Sequence, residues 1–343
     1  MPQRTEIRLS LPSKGRLAED AVNFLAACGL HIYKPNPRQY AATIPALPNV
    51  TVLFQRPTDI VVSVRDGSVD FGITGLDVTA EHGGNGEVLV LHEALGFGGC
   101  RLAVVVPETW TAVTTLDELA VHTRSLDKPL RVATQFPNLA DDFLARNGVA
   151  PITLVKSEGT LEIAPAIGYA DCIVDLVASG QTLIDNRLRA LADGVVMRSE
   201  AALIANCAAL RERTDVLSVA RTLLEFTEAH LRAEEHYLVV ANMRGESPQA
   251  IARLIVAQHV LGGLQGPTIA PVVVREDIAA DRATNGLPHW HAVQMVVRRD
   301  KLIQAIAELR AIGGSGVVVT PVTYIFEEEP ARYKAMMAAV RET

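Results

Sequence analysis

The chain has 343 residues, of which 49% are apolar, and a formal net charge of −7. That length exceeds what one hydrophobic core usually supports, so two or three packed units are expected, and the acidic balance argues against nucleic acid as a partner. No apolar run approaches the roughly 20 residues that span a bilayer, and residues 1–13 lack a cationic segment followed by a long apolar one, so we expect a cytoplasmic protein without a membrane partner.

Strand-like runs alternate with helical patterns through the first two thirds of the chain, which is typical of α/β sheets with covered faces. We predict a first lobe over residues 1–104 with a return segment at about 200–234, and a second lobe over 105–199. Two lobes joined by two crossings would leave a cleft between them. The predicted strands are 7–11, 50–54, 70–74, 101–106, 115–119, 130–133, 153–155, 173–177 and 201–207, and the predicted helices are 18–27, 139–147 and 182–190.

A connecting amphipathic helix is predicted over residues 214–233, where apolar side chains recur at a spacing near 3.6. After it the pattern reads β-α-β-β-α-β, the order of a ferredoxin-like domain, which we assign to residues 235–343. Residues 275–289, between its second and third strands, are polar and contain Asn-Gly and Pro. We predict that this segment is an exposed hairpin loop that the chemistry does not need.

The four cysteines are far apart and form no C-x-x-C pair, so reduced, buried thiols are favoured over disulfides or a zinc site. His289 and His291 alternate on one predicted strand, but a third ligand is missing nearby, so no protein-held metal is predicted. The cysteines are Cys28, Cys100, Cys172 and Cys207.

A turn of small residues follows the predicted strand 173–177 and precedes a helical segment. The sequence Ser179-Gly180-Gln181-Thr182-Leu183 would gather free N–H groups and two hydroxyls around one point, where a phosphate would bind. Asp175, just before the turn, stands where a carboxylate accepts hydrogen bonds from ribose hydroxyls. Short motifs are also common by chance, so on these residues alone an ordinary β-turn followed by an N-cap, with Asp175 as a capping residue, is favoured over a phosphate site.

The whole stretch 162–183 resembles the signature of the ATP phosphoribosyltransferases, with Glu, Gly, Asp, Ser-Gly and Thr-Leu at the same spacings. Further blocks resemble that family in the same order, so the resemblance covers nearly the whole chain. These blocks are 11–17 (LPSKGRL), 56–60 (RPTDI), 70–77 (DFGITGLD), 132–139 (VATQFPNL), 266–271 (GPTIAP) and 311–314 (AIGG).

This resemblance implies the long form of the enzyme: a two-lobed α/β catalytic unit, similar to type II periplasmic binding proteins, followed by a ferredoxin-like regulatory domain. It implies that the chain joins N1 of ATP to C1 of phosphoribosyl pyrophosphate (PRPP) at the first step of histidine biosynthesis. Mg²⁺ as cofactor, inhibition by L-histidine and a homo-oligomer, dimer or hexamer, are also implied.

Roles for individual residues follow from the same resemblance, although loop charges and tight turns explain each of them equally well when taken alone. Catalytic roles fall on Lys14, Glu162 and Asp175. PRPP binding falls on Asp175, Ser179, Gly180, Gln181, Thr182 and Leu183; ATP binding on Lys14, Arg16, Arg56, Gly75 and Asp77; and histidine binding on Thr268, Gly314 and Ser315.

Two other classes of protein fit parts of the pattern. A solute-binding protein would share the two lobes and two crossings, but the apparent lack of a signal peptide and the added ferredoxin-like domain argue against it. A regulatory subunit without catalysis would share the last domain. The intact stretch from Asp175 to Leu183 argues against that alternative.

Overall fold

The computed structural model describes residues 5–36, 39–156, 159–273 and 289–342. The chain divides into two compact units. The first unit contains Met1–Leu224 and Pro330–Thr343, and the second contains Glu225–Glu329. The predicted hairpin loop at 275–289 lies outside the described residues except for His289.

The first unit alternates short strands with helices, as its sequence predicts. Its elements are β1 Ile7–Pro12, α1 Arg16–Ala27, β2 Ala41–Ile44, β3 Leu47–Gln55, α2 Pro57–Arg65, β4 Phe71–Gly75, α3 Leu76–His82, β5 Val88–His92, β6 Cys100–Pro107, α4 Leu116–Arg124, β7 Leu130–Thr134, α5 Pro137–Arg146, β8 Ile152–Lys156, a 3-10 helix Leu161–Ile163, β9 Cys172–Val177, α6 Gln181–Asp185, β10 Leu188–Ser199, β11 Ala201–Asn206 and α7 Cys207–Glu212.

The first lobe is built on a six-stranded sheet in the order β2-β3-β1-β4-β11-β5. Strand β1 is parallel to both β3 and β4, whereas β11 is antiparallel to β4 and β5. Segment 201–206 therefore returns the chain to this lobe. Every residue of β11 is buried, since the strand lies inside the sheet with helices packed on it.

The second lobe is built on a five-stranded sheet in the order β10-β6-β9-β7-β8. Its core on one face combines apolar side chains of β6, β7 and β9 with those of α4 and α5. On the other face a second cluster joins Leu161, Val177, Leu183 and Leu188. The sheet is mixed, with β10-β6 and β6-β9 antiparallel and β9-β7 and β7-β8 parallel, and both of its faces are covered.

Two predictions in the second lobe are wrong. Residues 115–119, predicted as a strand, begin helix α4: the Thr115 hydroxyl accepts the Glu118 N–H and the Glu118 carboxylate accepts the Thr115 N–H, a capping box. The helix predicted over 182–190 ends at Asp185, because the chain joins the sheet at Leu188, which pairs with Pro107. Strand β10, with 12 residues, was not predicted.

Helix α8, Thr214–Glu234, runs from the first unit into the second. The second unit then contains β12 His236–Gly245, α9 Pro248–Val256, β13 Thr268–Pro271, β14 His289–Arg298, a 3-10 helix Arg299–Lys301, α10 Leu302–Ala311 and β15 Ser315–Pro321. Its antiparallel sheet has the order β13-β14-β12-β15, and its core joins β12 and β14 to α9 and α10. This is the ferredoxin-like arrangement that the sequence predicts.

The last helix, α11 Ala331–Glu342, belongs to the first unit, whereas the sequence pattern predicts that these residues are part of the small domain. It packs against α7 and β5, and the Arg332 guanidinium binds both carboxylate oxygens of Glu93. No helix in the described part of the chain is long and apolar enough to cross a membrane. A cytoplasmic location stays a prediction.

Candidate active site

A cavity of about 450 Å³ lies between the two lobes of the first unit, where the chain passes from one sheet to the other. The chain enters β6 at Cys100 and leaves β10 at Ser199, and these two residues pair directly. Beside them, the Ala201 N–H donates to the Phe97 carbonyl at 3.0 Å. The sequence predicts a cleft between the lobes, and this cavity confirms it.

The small-residue turn joins β9 to the short helix α6. Gly180 has φ +81° and ψ 0°, a left-handed conformation that favours glycine, and Gln181 begins the helix. The Ser179 hydroxyl accepts the Gln181 N–H at 3.4 Å, and Leu183 is buried in the sheet core. Ser179 and Thr182 are both exposed, so their hydroxyls are accessible to a ligand.

Asp175 and Glu162 approach each other beside this turn. The pKa of Asp175 is raised to about 6, mainly by burial and also by the negative charge of Glu162. The Leu176 N–H, which donates to the Asp175 carboxylate at 2.7 Å, acts in the opposite direction and lowers the pKa. Glu162 lies on the 3-10 helix whose Leu161 packs in the same core cluster as Leu183. One core therefore positions both carboxylates and the turn, and at pH 7 Asp175 is mostly ionised and can accept hydrogen bonds.

Two of the predicted cations stand at one edge of the first sheet. Strands β1 and β3 are parallel with Pro12 opposite Gln55, so their carboxyl ends coincide. Lys14 follows β1, Arg56 follows β3, and both are exposed. Arg16 begins α1 two residues after Lys14. The structure thus brings together residues that are 42 positions apart in sequence, at the edge where open α/β sheets bind ligands.

Asp77 lies at the crossing between the lobes. Its carboxylate accepts the Ser199 hydroxyl at 2.8 Å, and its N–H donates to the Ser199 oxygen at 3.0 Å. Gly75 is required beside it, because a Cβ there would overlap the Asp77 carboxylate. Burial, together with the negative charge of Asp77, raises the pKa of Cys100 to about 11. Asp77 is itself buried, so its contact with a nucleotide stays a prediction.

The lining of the cavity comes from the neighbours of the predicted residues. Leu76 lies between Gly75 and Asp77, while Val177 and Ala178 lead from β9 into the turn. Of the described residues that line the cavity, none is a predicted site residue; the predicted residues next to the lining are Gly75 and Asp77 on one side and Ser179 on the other.

Two cavity residues were missed in the sequence. Arg101 and Arg198 both line the cavity and stand directly opposite each other on β6 and β10. In the sequence, Arg101 follows the glycines of one crossing segment and Arg198 precedes Ser199 at the other. Such surroundings are typical of a solvated loop. Only the pairing of β10 with β6 brings them together, and β10 was not predicted.

In the second unit the predicted histidine-binding residues do not form one group. Thr268 begins β13 and Ser315 begins β15, and these strands are the two opposite edges of the sheet. Three inter-strand spacings separate the edges, about 14 Å. Gly314 lies beside Ser315, whose hydroxyl donates to the Asn242 carbonyl at 3.3 Å.

These features define a class of protein: a two-lobed α/β enzyme with its candidate site in the interlobe cleft, followed by a ferredoxin-like domain. Family models match the chain in two parts, "HisG: ATP phosphoribosyltransferase" over residues 56–225 and "HisG, C-terminal domain" over 233–324.

Individual relatives match over almost the full chain. ATP phosphoribosyltransferase 2, chloroplastic, from Arabidopsis thaliana is 44% identical over 339 residues, covering 98% of this chain and 81% of the relative. The ATP phosphoribosyltransferase of Nitrobacter winogradskyi is 32% identical over 346 residues, covering 98% of this chain and 99% of the relative. Among solved structures, the ATP phosphoribosyl transferase (HisG:HisZ) complex from Thermotoga maritima matches with a TM-score of 0.50 at 23% identity, covering 65% of this chain and 98% of that chain. That structural match supports the fold alone.

The chain belongs to the ATP phosphoribosyltransferase family. It is a pentosyltransferase with ATP and PRPP as substrates, and its reaction is the first step of histidine biosynthesis. The C-terminal match identifies the long form, with a separate C-terminal domain.

Proposed function

We propose that this transferase binds PRPP at the turn Ser179–Leu183 and ATP at the opposite wall of the interlobe cleft, with the two reacting groups meeting in the cavity. The observation that carries the proposal is the position of the turn. The two residues that lead into it, Val177 and Ala178, line the cavity, as does Leu76 at the end of the first lobe's sheet.

The PRPP half of the proposal rests on groups with complementary chemistry. The exposed hydroxyls of Ser179 and Thr182, with the N–H groups around Gly180, bind the 5′-phosphate. The Asp175 carboxylate accepts hydrogen bonds from the ribose hydroxyls. Its pKa is raised to about 6, so the carboxylate is still mostly ionised at neutral pH.

The ATP half rests on the edge formed by the ends of β1, β3 and β4. Lys14 and Arg56 are exposed cations there, and Arg16 begins the following helix. Lys14 acts as a point charge on phosphate oxygens, whereas Arg56 offers a planar fork. Gly75 and Asp77 hold the adjoining turn close to the crossing, where the adenine would stand.

The reaction forms a bond between N1 of ATP and C1 of the ribose while the bond from C1 to pyrophosphate breaks. Positive charge develops on the ribose as the leaving group departs, so orientation and charge neutralisation matter more than a strong base. Glu162 stands beside Asp175, where its negative charge stabilises that developing charge and fixes the ribose. The fixed cations of the cleft neutralise the departing pyrophosphate.

Magnesium fits this arrangement as a cofactor that is held largely by the substrate. Asp175 and Glu162 are oxygen donors of the kind that Mg²⁺ prefers, and their mutual repulsion favours a nearby cation. The described residues contain no group of three or more His, Cys, Asp or Glu side chains that could hold a metal ion, so pyrophosphate oxygens would supply most of its ligands. When bound, Mg²⁺ neutralises charge on the leaving group.

Inhibition by L-histidine is proposed for the second unit. Thr268 offers a hydroxyl at one edge of the sheet, and Ser315 offers a second hydroxyl at the other edge. The N–H of the adjacent Gly314 donates to the Leu309 carbonyl at 2.7 Å and is not free for a ligand. Because about 14 Å separates these edges, a single histidine contacts only one of them within one chain. A homo-oligomer, dimer or hexamer, remains part of the proposal.

The proposal is tested at the turn by Thr182→Val. Loss of one hydrogen bond to a charged phosphate costs about 1.5 to 3 kcal/mol, so PRPP affinity should fall by about 10- to 100-fold. Calorimetric titration of PRPP into the folded full chain measures this. Thr153→Val is a matched control, since Thr153 is exposed on β8 of the same lobe. Unchanged PRPP affinity in Thr182→Val would contradict the assignment of the turn.

A further inference from the structure

Two arginines stand side by side in the lining of the interlobe cavity. Arg101 on β6 and Arg198 on β10 form a directly opposed pair in an antiparallel ladder, and both line the cavity. Opposed residues of antiparallel strands lie on the same face, with Cβ atoms about 5 Å apart. Two guanidinium groups therefore extend from one small area of the cavity wall.

The described residues provide no ion-pair partner for either arginine. Two carboxylates also line the cavity, but both are engaged elsewhere. Glu93 binds Arg332 of the last helix, and Glu200 accepts the Gly96 N–H at 3.2 Å. Like charges directly opposite each other on a sheet are destabilising, so the arginine pair is suited to a ligand that carries more than one negative charge.

The place of the pair in the second sheet points to the kind of ligand. Arg101 is also directly opposite Val177 on β9, two residues before Ser179. The order β10-β6-β9 thus aligns Arg198, Arg101 and the approach to the turn along one row. A chain with a net charge of −7 needs local cations to hold a polyanion, and arginine forks match phosphoryl oxygens in pairs.

We propose that Arg101 and Arg198 together bind a polyphosphate group, one guanidinium to each of two adjacent phosphoryl groups. This inference rests on the proposed function for its choice between two sources of that chemistry, the pyrophosphate of PRPP and the triphosphate chain of ATP. In either case the arginines are binding residues that the sequence signature does not contain. If the ligand is the pyrophosphate of PRPP, they stabilise the leaving group as the C1–O bond breaks.

The test uses Arg101→Gln and Arg198→Gln in the full chain, with Arg124→Gln as the matched control. Arg124 is an exposed arginine near the end of α4 in the same lobe and does not line the cavity. Inorganic pyrophosphate, PRPP, ATP and ribose 5-phosphate are titrated calorimetrically into each variant. Pyrophosphate should bind about 10- to 100-fold more weakly to both cavity variants and normally to the control, as expected for a lost hydrogen bond to a charged group.

The other ligands distinguish the two sources. If the site takes the leaving group, PRPP affinity falls with that of pyrophosphate while ATP affinity is unchanged; if it takes the triphosphate, the reverse holds. Ribose 5-phosphate should bind equally to all variants, because it reaches only the turn. Failure of ribose 5-phosphate to bind the parent would contradict the proposed turn without touching the arginine site.

Melting of the ligand-free proteins supplies a second readout. Removal of one of two unneutralised like charges should leave the melting temperature equal to the parent's or above it. The inference is overturned if pyrophosphate, PRPP and ATP all bind both cavity variants as they bind the parent. It is also overturned if both variants melt below the parent, since the arginines would then hold the fold together.

Discussion

Burial of the Asp175 carboxyl group makes the stability of the protein depend on pH. Its pKa rises from an ordinary value of 3.8 to about 6, mainly because burial disfavours the charge. The native state therefore keeps this proton to higher pH than the unfolded chain does. Stability contributed by the proton is present below about pH 4 and is lost as the pH rises to about 6.

Asp175→Asn should remove that loss. Relative to the parent, the variant should gain stability between about pH 4 and pH 6, by up to about 3 kcal/mol from a shift of about two pKa units. Chemical denaturation across this pH range measures the difference. Asp127→Asn, at an exposed position of the same lobe, is the matched control for replacing an aspartate by asparagine. A stability difference for Asp175→Asn that does not change with pH would show that the pKa of Asp175 is not raised.

The turn at the end of β9 is the element to which we assign the binding of PRPP. Gly180 has a positive φ, and a Cβ there would meet only Val177 at 3.8 Å, so space is available but the backbone conformation is unfavourable. Gly180→Ala should destabilise the protein by about 1 to 2 kcal/mol and also weaken PRPP binding as the turn relaxes.

Gly148→Ala is the matched control for that change. Gly148 has φ +68° with no neighbour within 4 Å and follows helix α5, away from the turn. It should show a similar loss of stability by thermal melting but unchanged PRPP affinity by calorimetry. If Gly180→Ala and Gly148→Ala bind PRPP with equal affinity, the turn does not take part in PRPP binding.

The sequence predicts helices and strands well where the local sequence pattern agrees with the burial of the side chains. The run Ile7–Pro12 and the segment Ala201–Asn206 are almost entirely buried strands, and their apolar residues identify them directly. Strand β10 could not be read in this way, because its burial pattern is irregular and its pairing with β6 contains bulges. Arg101 and Arg198 were missed for the same reason, since their opposition depends on long-range strand register.

The candidate site shows the same division. A signature within one stretch, Glu162 to Leu183, identified the turn and two carboxylates that the fold does bring side by side. By contrast, Thr268 and Ser315 come from separate blocks, and sequence order gives no indication that β13 and β15 are opposite edges of one sheet.

For the whole molecule, the main question is control of the first unit by the second. Truncation near residue 230 is a poor test, because it also removes helix α11, which packs on β5 in the first unit. Point variants in the full chain avoid this. L-histidine should bind the parent and inhibit it, with a coupling free energy of about 1 to 3 kcal/mol.

Thr268→Val and Ser315→Ala should then differ. The variant at the true binding edge should lose histidine affinity and inhibition together, while the variant at the other edge behaves as the parent. Calorimetry and initial rates across histidine concentrations measure both effects. Absence of histidine binding to the parent, or inhibition that persists without binding, would contradict control through this domain.

The most direct test of the whole account is pyrophosphate release by the full chain, measured with ATP alone, PRPP alone and both together, in the presence and absence of Mg²⁺. We expect release only when both substrates and Mg²⁺ are present. Lys14→Met should melt as the parent does, because an exposed cation adds little stability, yet release pyrophosphate at least about tenfold more slowly. Release without ATP would contradict a reaction that joins the two substrates, and an unchanged rate in Lys14→Met would contradict the assignment of Lys14 to the ATP site.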